Sequence, residues 1–217
     1  GTSPVTRTLE ARNFELWDLT GGSGNDDLRG AGGDDVLIGN AGDDVLDGRC
    51  GLDIVDGGAG NDKWRADLGA NVNIVSFNAA TSQTVAQGTG AGLSIAKVEM
   101  LDIFGGANND SFSTAGYAFN DAIRGGTGDD VINPGRGFDY VSGDGDGAVT
   151  AGNDKLVLDW SDAAGGIIVT SEEWWRRNFQ AGPDAADGSS PNHTIEARNF
   201  ERWDLTGGAG DDDLRGA

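Results

Sequence analysis

The sequence predicts an all-β solenoid, a fold in which short strands stack in successive coils. Three observations lead to this prediction. A nine-residue period runs without a gap from Gly21 to Arg65, and every period carries turn-forming glycines and a single apolar residue in a fixed place. The stretches between the periodic blocks alternate apolar and polar residues, as strands do. A fixed short period indicates that one structural unit is stacked many times.

The first block consists of five copies: GGSGNDDLR, GAGGDDVLI, GNAGDDVLD, GRCGLDIVD and GGAGNDKWR. Glycine holds positions 1 and 4 of each copy, aspartate holds position 6 and an apolar residue holds position 8. Glycine permits positive φ and close backbone approach, so the first six residues predict a turn. The last three predict a short strand that points one side chain inward. These inward candidates are Leu28, Leu37, Leu46, Val55 and Trp64.

A second block of five copies follows, interrupted at Thr114-Ala115 and at Gly143–Ala148. Its inward candidates are Phe112, Ile123, Ile132, Val141 and Leu156. The predicted organisation comprises the end of a preceding interlude strand (1–20), a first block (21–65), a β-rich interlude (66–104), a second block (105–157), a β-rich interlude with a loop at 171–194 (158–206), and the start of a third block (207–217). Within that loop, residues 171–178 have the composition of one helical turn.

The interludes also repeat, because EARNFELWDLTGG returns after 186 residues as EARNFERWDLTGG. Three glutamates, Glu15, Glu99 and Glu201, recur in the strand that enters each block. Two interpretations stay open for them. They close the first, half-formed turn of the block, or they have a structural or exposed role, which we favour. The longer recurrence predicts one link of a larger repetitive protein.

Charge and composition exclude several functions. The net charge is -21, which disfavours nucleic acid and anionic membrane surfaces and favours cations. No apolar run approaches the roughly 20 residues of a membrane helix, so we expect no membrane insertion by this segment. One cysteine, Cys50, and one histidine, His193, leave no disulfide framework, no cysteine-based zinc site and too few groups for most hydrolytic mechanisms. We therefore predict that this segment is not an enzyme.

The aspartates at position 6 predict a metal. In stacked coils, equivalent positions lie about 4.8 Å apart, and carboxylates at that separation repel one another. A column of stacked carboxylates is therefore stable only if cations lie between them. Carboxylates together with turn carbonyls form a flexible cage of hard oxygen ligands, which suits Ca²⁺ better than Mg²⁺. The burial of one apolar side chain cannot offset the conformational entropy that nine residues lose on folding. We therefore expect that calcium binding drives folding.

The copies GGSGNDDLR, GGAGNDKWR and GGTGDDVIN resemble the GGxGxDxUx nonapeptide of the RTX, or haemolysin-type calcium-binding, family. The resemblance implies a right-handed parallel β-roll in which two nonapeptides form one coil and calcium lies in the turns, between the aspartates of copies i and i+2. The implied metal ligands are Asp26, Asp35, Asp44, Asp53, Asp62, Asp110, Asp121, Asp130, Asp139, Asp154 and Asp212. The implied backbone carbonyl ligands are Gly22, Gly24, Gly33, Gly42, Gly51, Gly60, Gly128, Gly137 and Gly152.

The leading hypothesis is multivalent calcium binding that drives folding of an extracellular segment, part of a secreted or surface RTX protein such as an adhesin. The resemblance also implies type I secretion. Two alternatives stay open. Trp174 and Trp175, beside two arginines, are candidate aromatic contacts for a carbohydrate or another surface protein, or the segment is the non-catalytic tail of a secreted enzyme. Asp144 and Asp146 either bind an extra ion or, as we favour, lie in a solvated loop.

Overall fold

The computed structural model describes residues 14–69, 74–78, 83–87, 94–144, 152–161, 167–173, 176–181 and 193–208. These residues form strands and no helix, so no membrane-spanning helix occurs among them. The strands are β1 Asp18–Thr20, β2 Asp27–Arg29, β3 Val36–Ala41, β4 Val45–Arg49, β5 Ile54–Ala59, β6 Lys63–Asp67, β7 Ile74–Asn78, β8 Gln83–Gln87, β9 Ser94–Ala96, β10 Met100–Ala107, β11 Ser111–Ser113, β12 Ala122–Thr127, β13 Val131–Asn133, β14 Phe138–Asp144, β15 Lys155–Asp159, β16 Ile167–Glu173, β17 Arg176–Ala181, β18 His193–Arg198 and β19 Arg202–Thr206.

Each strand of the first block pairs in parallel with the strand two nonapeptides away. Leu28 pairs with Leu46, and Leu46 pairs with Trp64, while Leu37 pairs with Val55 on the neighbouring sheet. Successive nonapeptides therefore alternate between two sheets, and two of them complete one coil. The predicted all-β, parallel β-roll is confirmed.

One sheet runs through both blocks, and two shorter sheets accompany it in turn. The long sheet has nine strands in the order β16-β17-β18-β14-β12-β10-β6-β4-β2. A four-stranded sheet, β1-β3-β5-β9, accompanies it along the first block. A six-stranded sheet, β19-β15-β13-β11-β7-β8, accompanies it along the second. The two blocks are thus continuous through the long sheet.

The position-8 residues form the core between the sheets. Nine of the ten inward candidates are at most 1% exposed, and Leu28, in the first coil, is partly buried against them. Phe77 from the interlude packs edge-on against Trp64, with ring centroids 5.8 Å apart. Since each coil adds only one or two such side chains, the core is a narrow line along the roll axis.

The strand β10 joins the two blocks with a change of register. Toward the first block, Leu101 pairs with Trp64, the position-8 residue of its last copy. Toward the second block, Ile103 pairs with Ile123, the position-8 residue there. An offset of two residues keeps the same side chains facing the core, because strand side chains alternate with a period of two.

The expected helical turn at residues 171–178 is wrong where the structure describes it. Strands β16 and β17 pair antiparallel, with Glu173 opposite Arg176, and β17 pairs antiparallel with β18. A single helical turn is marginal alone, whereas these strands gain a row of hydrogen bonds by extending the long sheet. Trp174 and Trp175 lie outside the described residues.

Candidate metal centres

The position-6 aspartates stack in columns along the turns. The backbone N–H of Asp26 donates to Oδ1 of Asp44 at 2.7 Å, and that of Asp44 donates to Oδ1 of Asp62 at 2.8 Å. The same contact joins all six pairs that the sequence predicts: Asp26 with Asp44, Asp35 with Asp53, Asp44 with Asp62, Asp110 with Asp130, Asp121 with Asp139, and Asp130 with Asp154. Asp212 lies outside the described residues, so its role stays a prediction.

The second carboxylate oxygen of most column aspartates is buried and makes no hydrogen bond within the described part of the chain. This holds for Oδ2 of Asp44, Asp53, Asp62, Asp130, Asp139 and Asp154. All six side chains are at most 4% exposed. A buried, unpaired carboxylate oxygen is costly, and a cation satisfies it.

Backbone carbonyls flank these same oxygens. A methyl group added to Gly21 would lie 2.5 Å from Oδ2 of Asp26 and 2.6 Å from the carbonyl oxygen of Gly39 in the next coil. A methyl group on Gly39 would likewise collide with Oδ2 of Asp44 and the carbonyl oxygen of Gly57. The position-1 glycines therefore leave open a space that a carboxylate and a carbonyl both face. Sequence reasoning missed these position-1 carbonyls, because nothing in the repeat marks which carbonyl of a turn points inward.

The position-4 glycines make a second close approach between coils. Gly42 has a φ of 125° and Gly51 a φ of 140°, and each lies against the carbonyl of the position-4 glycine two copies earlier, Gly24 for Gly42 and Gly33 for Gly51. Gly60 lies in the same way against the carbonyl of Gly42, and Gly152 against that of Gly128. The Gly22 carbonyl instead accepts a hydrogen bond from the N–H of Ala41 at 3.4 Å. All nine carbonyl ligands that the resemblance implies stay predictions.

Burial raises the pKa of several column aspartates. Desolvation is the largest cause in each, and a neighbouring carboxylate of the column raises the pKa further. The pKa reaches about 6 at Asp62 and about 7 at both Asp130 and Asp154. It reaches about 6 at Asp53 and about 8 at Asp139. The folded columns therefore favour bound positive charge, whether as protons or as metal ions.

Asp121 departs from the pattern of the other columns. Its Oδ2 accepts a hydrogen bond at 2.7 Å from the hydroxyl of Thr114, which is fully buried and belongs to the two-residue interruption. Its Oδ1 accepts from the N–H of Leu101, also at 2.7 Å. The hydroxyl satisfies an oxygen that, within the described residues, makes no hydrogen bond at six other column aspartates, so the interruption changes the chemistry of this coil.

Asp144 is 2% exposed at the end of β14, so the solvated-loop interpretation is wrong for this residue. The strand β14 continues to pair with β12 as far as Gly126 and Asp144, so Asp144 is part of the long sheet. The charge of Asp144 contributes to the raised pKa of both Asp130 and Asp154. Asp146 lies outside the described residues.

Two glutamates occupy places that the sequence did not assign. The N–H of Asp62 donates to Oε2 of Glu99 at 2.9 Å, and the N–H of Asp154 donates to Oε2 of Glu201 at 2.8 Å. We expected these residues, if they touched a turn, at the start of the following block. The structure places them at the last coil of the preceding block.

The donor set fits Ca²⁺. Among the described residues, no cluster of three or more His, Cys, Asp or Glu side chains could hold a metal ion. Two carboxylates and several turn carbonyls form an all-oxygen set, which suits a cation that takes six to eight oxygens. Such a set lacks the nitrogen and sulfur ligands that zinc prefers.

Comparison with known proteins agrees with this donor set. The family model for the RTX calcium-binding nonapeptide repeat matches in four copies, at residues 20–51, 30–63, 51–72 and 104–141. No curated protein matches the chain. Among solved structures, the extracellular lipase LipA from Serratia marcescens is similar at 17% identity and a TM-score of 0.26, over 91% of this chain and 40% of the lipase chain.

Proposed function

We propose that this chain, which carries RTX calcium-binding nonapeptide repeats between residues 20 and 141, is a structural segment that the binding of several calcium ions drives to fold. Repeats of this kind bind Ca²⁺, and several copies bind several ions. The observation that carries the proposal is the row of buried Oδ2 atoms without hydrogen bonds in the stacked columns. Such a row is unfavourable in a folded protein until cations occupy it.

Each ion would lie between two successive coils on one edge of the roll. The aspartates of copies i and i+2, such as Asp44 and Asp62 in the first block, would supply carboxylate oxygens. Position-1 and position-4 carbonyls, such as those of Gly39 and Gly24, would supply the remaining protein ligands. The ion would supply positive charge that joins two coils, while the glycines keep the space open by having no side chain.

Calcium is then part of the folding reaction. Each nonapeptide buries one apolar side chain while ordering nine residues, and its aspartate adds repulsion against the neighbouring coil. The unfolded chain holds no preformed site, so the free energy of binding becomes free energy of folding. In the absence of calcium the blocks would remain unfolded.

The setting that fits this behaviour is outside the cell. Calcium sites of extracellular modules have dissociation constants of about 10⁻⁴–10⁻³ M, which external calcium fills and cytosolic calcium does not. A chain that stays unfolded inside the cell remains competent for secretion. The recurrence of the interlude after 186 residues supports a spacer role in a longer secreted or surface protein, such as an adhesin.

Far-UV circular dichroism during a calcium titration tests the proposal. We expect little β signal in EDTA, a cooperative rise of that signal at millimolar Ca²⁺, and no comparable rise with Mg²⁺, which demands tighter octahedral geometry. A chain that is fully β-structured in EDTA and unchanged by calcium would show that the ions do not drive folding.

A further inference from the structure

In each block, one aspartate column ends on a glutamate of the following interlude. Along the column, the N–H of one position-6 aspartate donates to the carboxylate of the next, as from Asp44 to Asp62 at 2.8 Å. At the end of the first block the N–H of Asp62 donates in the same way to Glu99 at 2.9 Å. At the end of the second block the N–H of Asp154 donates to Glu201 at 2.8 Å. Glutamate thus takes the place of the next aspartate.

At the same two ends, a backbone carbonyl of the interlude takes the place of a glycine carbonyl of the block. Within the first block, Gly39 faces Oδ2 of Asp44 and the carbonyl of Gly57, the position-1 glycine two copies later. At Gly57 these neighbours are the carbonyl of Lys97 and Oδ2 of Asp62, and at Gly143 they are the carbonyl of Asn199 and Oδ2 of Asp154. The interlude therefore supplies a carbonyl two residues before its glutamate.

Lys97 and Asn199 have the backbone conformation that this placement requires. Their φ angles are 51° and 53°, in the left-handed region that non-glycine residues seldom adopt. The residues between carbonyl and glutamate, Val98 and Phe200, are buried and anchor the turn. The same local structure occurs twice, in segments that share little sequence beyond the glutamate.

Each of these ends also holds a buried carboxylate oxygen that needs a partner. Asp62 and Asp154 are fully buried, and their Oδ2 atoms make no hydrogen bond within the described residues. Each Oδ2 faces the space beside the interlude carbonyl that Gly57 or Gly143 leaves open. The last coil thus presents the same oxygens as the coils inside the block.

We infer that Glu99 and Glu201 are calcium ligands that complete one further site at the end of each block. The inference rests on the proposed function, since it assigns two more ligands to the same columns. The segment that consists of Glu99 and β10 then has two roles. Its glutamate closes the site of the preceding block, and two residues later the N–H of Leu101 donates to Asp121 and begins a column of the next block.

The test compares Glu99→Gln and Glu201→Gln with the wild-type chain by native mass spectrometry at saturating calcium. Glutamine retains an oxygen that can accept the hydrogen bond but has lost the negative charge. A structural role alone therefore predicts an unchanged ion count, whereas ligation predicts the loss of one ion from each variant and of two from the double variant. Glu15→Gln is the matched control, because Glu15 ends the same Asn-Phe-Glu sequence as Glu201 while residues 1–14 contain no nonapeptide copy.

An unchanged ion count in both glutamine variants, with an unchanged calcium midpoint of folding, overturns the inference. A wild-type chain that binds no calcium instead overturns the proposed function. If Glu99→Gln does not fold in calcium, the ion count of Glu201→Gln tests the inference at the end of the second block. Glu99→Asp and Glu201→Asp retain the carboxylate, so ligation predicts that each of them recovers calcium binding relative to its glutamine counterpart.

Discussion

The N–H of Asp44 donates to Oδ1 of Asp62 at 2.8 Å, while Oδ1 of Asp44 itself accepts from the N–H of Asp26 at 2.7 Å. Asp44 therefore belongs to two successive pairs of the column, whereas Asp26 belongs to one. If each pair holds an ion, the two residues differ in how many sites depend on them.

We expect Asp44→Ala to weaken calcium-driven folding more than Asp26→Ala, with two ions lost against one. The measurement is the calcium midpoint of the far-UV circular dichroism signal, together with the bound ion count. Asp27→Ala is the charge control, since Asp27 pairs with Arg29 at 2.8 Å on the exposed surface. Equal effects of the Asp44 and Asp26 variants would count against pairing between copies i and i+2.

The position-1 glycines should be sensitive to a single methyl group. Alanine at Gly39 would place a Cβ against Oδ2 of Asp44 and the carbonyl of Gly57, where the ion is proposed to lie. Gly39→Ala should therefore cost about one ion and raise the calcium midpoint. Gly32→Ala is the matched control, because nothing lies within 4 Å of a Cβ there. Calorimetric titration of both variants measures the difference, and identical binding would show that the space beside Gly39 is not a site.

The pKa values predict how pH acts on the calcium-free chain. The pKa of Asp62 rises to about 6, that of Asp154 to about 7 and that of Asp139 to about 8, all above the unfolded value of 3.8. A raised folded pKa stabilises the fold below the unfolded pKa, and this stability is lost as pH rises through the folded values. In EDTA, the β signal should therefore be stronger at about pH 5 than at about pH 8.

Calcium should show the opposite pH dependence. Protons compete for the same oxygens, so the calcium midpoint of folding should be higher at about pH 5 than at about pH 8. Repulsion from the net charge of -21 also becomes weaker as the pH is lowered, because carboxylates become protonated. Repeating both titrations in about 1 M KCl, where the Debye length is about 3 Å, screens that repulsion and leaves the buried columns largely unscreened. A pH effect that disappears in KCl would contradict titration in the columns.

The core predicts a separate effect on stability. Leu46 is fully buried in the middle of the first block, and Leu46→Ala should lower the free energy of unfolding by about 2–5 kcal/mol. Leu16, which is 66% exposed, provides the matched control, and its alanine variant should change stability little. Urea unfolding at saturating calcium measures both. A small effect at Leu46 would mean that the coils are held by their ions and hardly at all by the core.

The columns and the core were predictable, because each is a property of the repeat. Once Asp44 is placed in a turn, a nine-residue period places Asp62 in the same turn two copies later, and the structure joins them. Other features depend on contacts that have no period. The hydroxyl of Thr114, which belongs to an interruption of the repeat, donates to Oδ2 of Asp121. Asp144 is buried, although a solvated loop was expected there.

The sequence by itself determined which residue types meet: aspartate with aspartate in the turns, and apolar side chains along the axis. A fixed period does this because every copy occupies an equivalent place in its coil. Only the tertiary structure decided where the columns end and how the blocks join. Glu99 contacts Asp62 from 37 residues away, and β10, which begins at the next residue, changes register by two residues. That contact depends on where the described part of the interlude lies against the last coil, which no local pattern encodes.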